Sequence, residues 1–308
     1  LGALGYDSSI EGYTGANWTV NVIKQAVGIG LDDGNDNFVG SQAVTREEAA
    51  LYAFNTLKAT MVDYDQKITT NVNGVDVTIS QGNAKPVTWT EGINEDGNIK
   101  DDGYVQFAEE YFNKLVKSET TDDMGRPATK WTNKGDKIGT YADKANQTYY
   151  KNVKLGNIYS DLGMTQKDEH ATVIVNGVEA TDVVVSKNND RKISSSSAND
   201  GLVGDGSIVE VYYNEDDNHV TIVAADVYVG EITSKETKAA DPYVVVDSKL
   251  QMKKVDGTNY TGYTGNATHF ECDTSAFAED DIVLFTYSQA EKSIQTVVKA
   301  ESTEGIVS

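Results

Sequence analysis

An α+β multidomain chain, with a short N-terminal helical module followed by tandem small all-β domains, is the fold class that three observations predict for these 308 residues. Apolar residues recur at spacings of three and four up to about Asp65, and from there the period falls to two. A strand-turn-strand pattern that begins at Ile208 then returns at Ile282, 74 positions on. The predicted spans are 1–64 for the end of the helical module and 65–164 for a mixed domain with one helix near 104–117. Two β domains follow at 165–233 and 234–304, and 305–308 reads as the start of a further module.

In Asn17–Gly30, the residues Trp18, Val22, Ala26 and Ile29 fall on one helical stripe, and Gly28 and Gly30 supply the stop. The next stretch, Leu31–Phe38, is dense in Asp, Asn and Gly, so it reads as a loop with Phe38 as the apolar plug of a helix pair. Its carboxylates Asp32, Asp33 and Asp36 make calcium a candidate ligand, although the spacing and the closing Glu of an EF-hand loop are absent. A second helix starts at Thr45, because Thr45 with Glu48 three residues later forms a capping box. Its apolar side is Ala50, Ala53, Phe54 and Leu57, and Arg46 and Glu47 stand at its N-terminal end.

Beyond Asp65, two alternating runs flank Asn73-Gly74, the dipeptide of a two-residue hairpin turn. Phe107, Ala108, Tyr111, Phe112, Leu115 and Val116 are spaced for a helix over Tyr104–Lys117, preceded by Asp101-Asp102 at the end that favours anions. Asp122–Trp131 reads as an ordered loop carrying Arg126 and Trp131, Lys154–Leu162 as a brief helix, and Asn176-Gly177 as a second hairpin turn between Ala171–Val175 and Val178–Ser186. The Ser-rich run Ile193–Gly201 is a surface loop. In the terminal repeat, Ile208–Tyr213 and Val220–Val223 match Ile282–Tyr287 and Ile294–Val297 at an offset of 74, and Gly230 matches Gly305 at 75. Gly305–Ser308 then resembles the first strand of another copy, so the native protein is expected to be longer, and the opening at Leu1 without a Met or a leader pattern reads as a segment either processed or cut from a longer chain.

The order Trp18, Ala26, Gly30-Leu31, Phe38 and Thr45-Arg46-Glu47-Glu48 resembles a repeat of the S-layer homology domain of bacterial cell-surface proteins, and Leu1–Tyr6 looks like the tail of a preceding repeat. The likeness covers about residues 1–64, one full repeat and a remnant, where family members usually carry three. Asp122–Trp131 is similar to a segment of large S-layer-homology proteins of gut Firmicutes. The resemblance implies an extracellular location on a Gram-positive surface, secondary cell-wall polysaccharide as a partner, and Trp18, Thr45, Arg46 and Glu47 as glycan contacts. Helix-cap scaffolding is the other reading of the Arg46-Glu47 pair.

Composition limits the alternatives. Lys and Arg number 26 against 48 Asp and Glu, a net charge of −22 spread along the chain, which argues against nucleic acid as a partner. No apolar run approaches the ~18 residues of a bilayer-spanning helix, so no membrane insertion is expected. Cys272 is the lone cysteine and reads as a small buried hydrophobe, while His170, His219 and His269 lack metal-ligand spacing. There is no nucleophile elbow, phosphate loop or dinucleotide fingerprint. Acidic neighbours such as Glu109-Glu110 and Asp280-Asp281 point apart rather than straddling a sugar. The expectation is a non-enzymatic structural protein that associates with copies of itself, with no cofactor. A surface-anchored carbohydrate-binding or polysaccharide-degrading protein is the alternative, and the 17 tyrosines suit contacts of either kind.

Overall fold

The computed structural model describes residues 1–64, 68–72, 75–79, 82–151, 153, 155–164, 171–180, 206–247 and 269–301. These residues are β-rich, mostly strands in several small sheets, with four α-helices among them. None of those helices is long and apolar enough to cross a membrane. The chain divides into two compact units, Leu1–Glu119 with Lys130–Thr140, and Thr120–Thr129 with Tyr141–Ser308.

The first unit opens on α1 (Trp18–Gly28) and α2 (Arg46–Lys58). At the end of α1, Leu31 N–H donates to Ala26 O at 3.0 Å and Gly30 N–H to Val27 O at 3.1 Å, with Gly30 at φ 71°. This is a Schellman motif, and a glycine meets its left-handed residue at no steric cost. It turns Ile29 and Leu31 onto a core formed by Leu4, Tyr6, Ala59 and Val62. The expected apolar stripe of α1 is only partly used: no residue of the helix is buried, and Trp18 is 52% exposed.

β1 (Val62–Asp63) pairs antiparallel with β4 (Lys85–Pro86), and β2 (Ile68–Val72) with β3 (Val75–Ile79), while the Asn73-Gly74 turn lies outside the described residues. The helix expected over Tyr104–Lys117 is corrected to a single short one, α3 (Phe107–Tyr111), followed by the strand β5 (Leu115–Thr121). The backbone shows why. Val105 N–H donates to Val87 O and Lys117 N–H to Asn98 O, so both ends of the window are drawn into extended pairing. Asn113 and the β-branched Val116, Thr120 and Thr121 favour that outcome. Helical spacing of apolar residues is thus met here by two unlike elements. β5, β6 (Pro127–Asn133) and β7 (Asp136–Ala142) form a three-stranded sheet in that order. Ile99, Ala108 and Trp131 make a second small core with Leu57 and Leu115.

The second unit holds two five-stranded sheets. In the first the order is β10 (Val178–Glu179), β9 (Thr172–Val175), β12 (His219–Ala225), β11 (Ile208–Asn214), β8 (Gln147–Tyr149), antiparallel except for the parallel pair β12–β9. The helix α4 (Leu155–Asp161) lays Ile158 and Tyr159 on its core of Val173, Val209, Val211, Val220 and Ile222. In the second sheet, β13 (Tyr228–Glu236) lies between β14 (Tyr243–Asp247) and β16 (Ile282–Ser288), flanked by β15 (His269–Glu271) and β17 (Ser293–Lys299), all antiparallel. The sheets therefore use residues 147–225 and 228–299. That transfers β8 and β13 across the boundaries expected at 164 and 233, because hydrogen bonding places each beside the first strand of a hairpin.

Those two hairpins are equivalent. Val209 pairs with Tyr149 and Val211 with Gln147, as Val283, 74 residues on, pairs with Gly230 and Phe285 with Tyr228. Their turns place Asn218 and Lys292, again 74 apart, both at φ 54°. One difference separates them. Tyr213 pairs with Val220 and Tyr287 with Ile294, but the second ladder then slips by one, so Thr286 faces Thr296 and Gln295 is left over. This β-bulge lets Ile294 and Val297, three apart, both face the core. The strand Val178–Ser186 is described only to Ala180, and His170, Arg191, Ile193–Gly201 and Gly305–Ser308 lie outside the described residues.

Within this unit the two sheets meet at the Asn176-Gly177 turn. Asn176, 1% exposed, accepts from Asp226 N–H at 2.8 Å through its side-chain oxygen and donates to Asp226 Oδ2 at 3.0 Å. Its carbonyl accepts from Gln289 N–H at 2.7 Å. A β-carbon on Gly177 would stand 2.6 Å from Ser288 Oγ and 2.8 Å from Asp123 O, so only glycine allows this approach.

Candidate functional site

The mouth of α2 is held from several sides. Thr45 Oγ1 accepts from Glu48 N–H at 3.2 Å, and Glu48 Oε2 accepts from Thr45 N–H at 2.8 Å, completing the capping box. The backbone and hydroxyl of Thr45, with Asn35, hold the Glu48 carboxyl below its ordinary value. Asn35 Nδ2 donates to Glu48 Oε1 at 3.1 Å and to the Tyr52 hydroxyl at 2.9 Å, and Phe38 meets the Tyr52 ring edge-on at 6.2 Å. Phe38 thus plugs the loop against α2.

The apolar side expected for α2 is corrected in phase. Ala50, Ala53 and Phe54 are exposed, and the buried residue is Asn55, whose Nδ2 donates to Leu31 O at 3.1 Å and Asp33 O at 2.9 Å. Loop carbonyls over a helix need donors, and that demand sets the rotation. Asn35, Tyr52 and Asn55 are the residues that sequence reasoning missed; the Asn-rich loop beside an in-helix Asn was the signal for them.

Of the four expected glycan contacts, Thr45 is committed to the cap, while Arg46 and Glu47 project into solvent with no ion pair among the described residues. Trp18 stands at the start of α1, and no hydrogen bond, ion pair or ring contact joins it to the other three. Among the described residues, Asp32, Asp33 and Asp36 included, no group of three or more His, Cys, Asp and Glu is placed to hold a metal ion.

In the second unit Arg126 belongs to its own fold. Its Nε donates to Asp122 Oδ2 at 2.7 Å, one guanidinium nitrogen lies 3.6 Å from Glu210 Oε2, and Asp122 Oδ1 accepts from Met124 and Arg126 N–H. Trp131 is buried in the first unit and meets Phe54 at 5.4 Å. Burial, then Asp273, pushes the Cys272 thiol up, the opposite of what a thiolate nucleophile needs.

A cleft of about 640 Å³ opens on the second sheet, lined by Tyr243, His269, Asp241, Glu271 and Gln295 among others. Tyr243 and His269 stack at 4.6 Å and 21°. Flat rings beside carboxylates and an amide can take a sugar face and its hydroxyls. The bulge at Gln295 turns its side chain to this wall. No family model, curated protein or solved structure matches the chain.

Proposed function

We propose that this chain is a structural protein of the bacterial cell surface, S-layer-like, held to secondary cell-wall polysaccharide through the α1–α2 module and associating with copies of itself into a lattice or filament. The observation that carries the reading is the mouth of α2, where a capping box and a polar loop fix the first turn, and Arg46 and Glu47 on it are exposed without intramolecular ion-pair partners among the described residues. These are the residues on which the S-layer homology likeness rests. A carboxylate- or pyruvate-bearing glycan would meet Arg46 as a planar donor.

The test is co-sedimentation of the full chain with purified cell-wall polysaccharide. Arg46→Ala is expected to weaken binding about tenfold, the usual effect of losing one charge-assisted hydrogen bond. Unchanged binding would leave this helix mouth a scaffold. The stacked Tyr243–His269 pair favours a second reading, a carbohydrate-binding surface protein whose sugar site is the cleft on the second sheet. Tyr243→Ala would separate the two, since it abolishes sugar binding under the second reading and leaves wall binding intact under the first.

A further inference from the structure

The first unit carries two charged patches of opposite sign side by side. One is at the start of β5 and the β6–β7 turn: Lys114 and Lys134 make no ion pair among the described residues, in a chain whose net charge is −22. The fold concentrates them, because Lys134 N–H donates to Lys114 O at 3.0 Å, bringing the two backbones into contact.

The other patch is a cleft of about 470 Å³ walled by Trp89 and Ile93 and carrying Glu91, Glu95, Asp96 and Glu110. Glu109, which also lines it, is already satisfied by the N–H groups of Ile99, Lys100 and Gln106. Glu91, Glu95 and Glu110 have no ion-pair partner among the described residues, and Asp96 Oδ1 is buried without a hydrogen bond. Asn113 lines the cleft and Lys114 follows it in the chain, so the lysines begin where the carboxylates end. Large apolar side chains are exposed in the cleft and beside its lining residues in the chain: Ile93, which lines it, is 78% exposed, and Tyr111 and Phe112, between Glu110 and Asn113, are 59% and 51% exposed.

A face with adjacent positive and negative halves around exposed aromatic residues is self-complementary under a two-fold rotation, which sets each half on the opposite half of its mate. We infer that this face pairs two copies of the chain, the Lys114–Lys134 region of each against the Trp89 cleft of the other. The pairing does not require the lattice: a dimer that never grows would keep this inference and remove the proposed assembly.

Two copies also repel through their net charge, so the pair is strongest where salt has screened long-range repulsion but not contacts within the ~8 Å Debye length, near about 0.15 M salt, and it is lost at molar salt. The experiment is sedimentation velocity on the full chain at that ionic strength, with the folding of each variant checked by circular dichroism. Wild type is expected to be a dimer. Lys114→Glu with Lys134→Glu, and separately Glu91→Lys with Glu95→Lys, should each weaken it at least about tenfold. Mixing the two reversed variants should restore a dimer, because every contact between unlike copies is again of opposite charge. A wild-type monomer at high micromolar concentration, a dimer that either reversal leaves intact, or a mixture that stays monomeric overturns the inference.

Discussion

Thr45 and Asn55 do different work on one helix. Thr45 satisfies a first-turn N–H at an exposed end, so Thr45→Ala should cost about 1 kcal/mol. Asn55 supplies buried donors to Leu31 O and Asp33 O, so Asn55→Leu should cost more, about 1–3 kcal/mol, by leaving both carbonyls unpaired. Urea denaturation of the two variants checks the order. Glu48 adds a pH dependence. Its carboxyl is depressed on folding from an ordinary 4.5, so its contribution is fully present above that value and disappears as pH falls through the lower folded value. The stability gap between wild type and Glu48→Ala should therefore narrow on acidification below pH 4.5, and a constant gap from neutral to strongly acid pH would contradict it. The cap was legible in the sequence because both its partners lie within four residues. Asn55 was not, since an Asn on a helix reads as solvent-facing until loop carbonyls more than twenty residues away are placed above it.

Hairpins were the most legible elements, and the short helix α3 the least. Offset counting found β11–β12 and β16–β17 because strand register and turn geometry recur with the sequence, down to the left-handed Asn218 and Lys292. Even the change of offset from 74 to 75 has a physical counterpart in the extra residue Gln295. By contrast, the apolar spacing over Tyr104–Lys117 was satisfied by a one-turn helix and a strand, whose partners Val87 and Asn98 lie outside any local window. The bulge yields a test at this scale. Deleting Gln295 leaves Tyr287 opposite Ile294 and Thr286 opposite Thr296, a regular ladder, so the variant should still unfold cooperatively. Deleting Thr221 from the equivalent strand moves Ile222 and Ala224 to the wrong face, and this variant should lose its cooperative transition. Equal thermal melting of the two deletions would count against the equivalence of the hairpins.

For the whole molecule, charge is the term that association has to overcome. A surface of net charge −22 resists crowding, and not every cation is free to offset it: Arg126 is engaged by Asp122 and Glu210, whereas Lys130 has no ion pair among the described residues. Counter-ions or lysine contacts must relieve the repulsion. The charge could be read from composition and the β-richness from alternating patterns, but the approach of Lys134 to Lys114 could not, because it depends on which backbone segments lie side by side. Divalent ions that screen or bridge carboxylates between copies should promote assembly, and where screening alone acts, calcium and magnesium are expected to do so alike. Both should act at lower ionic strength than sodium chloride. The most direct measurement is light scattering by the full chain during calcium titration, with magnesium and matched sodium chloride in parallel and micrographs at the end points. The account predicts growing scattering and ordered sheets, tubes or filaments; dispersed particles with flat scattering in all three salts would contradict it.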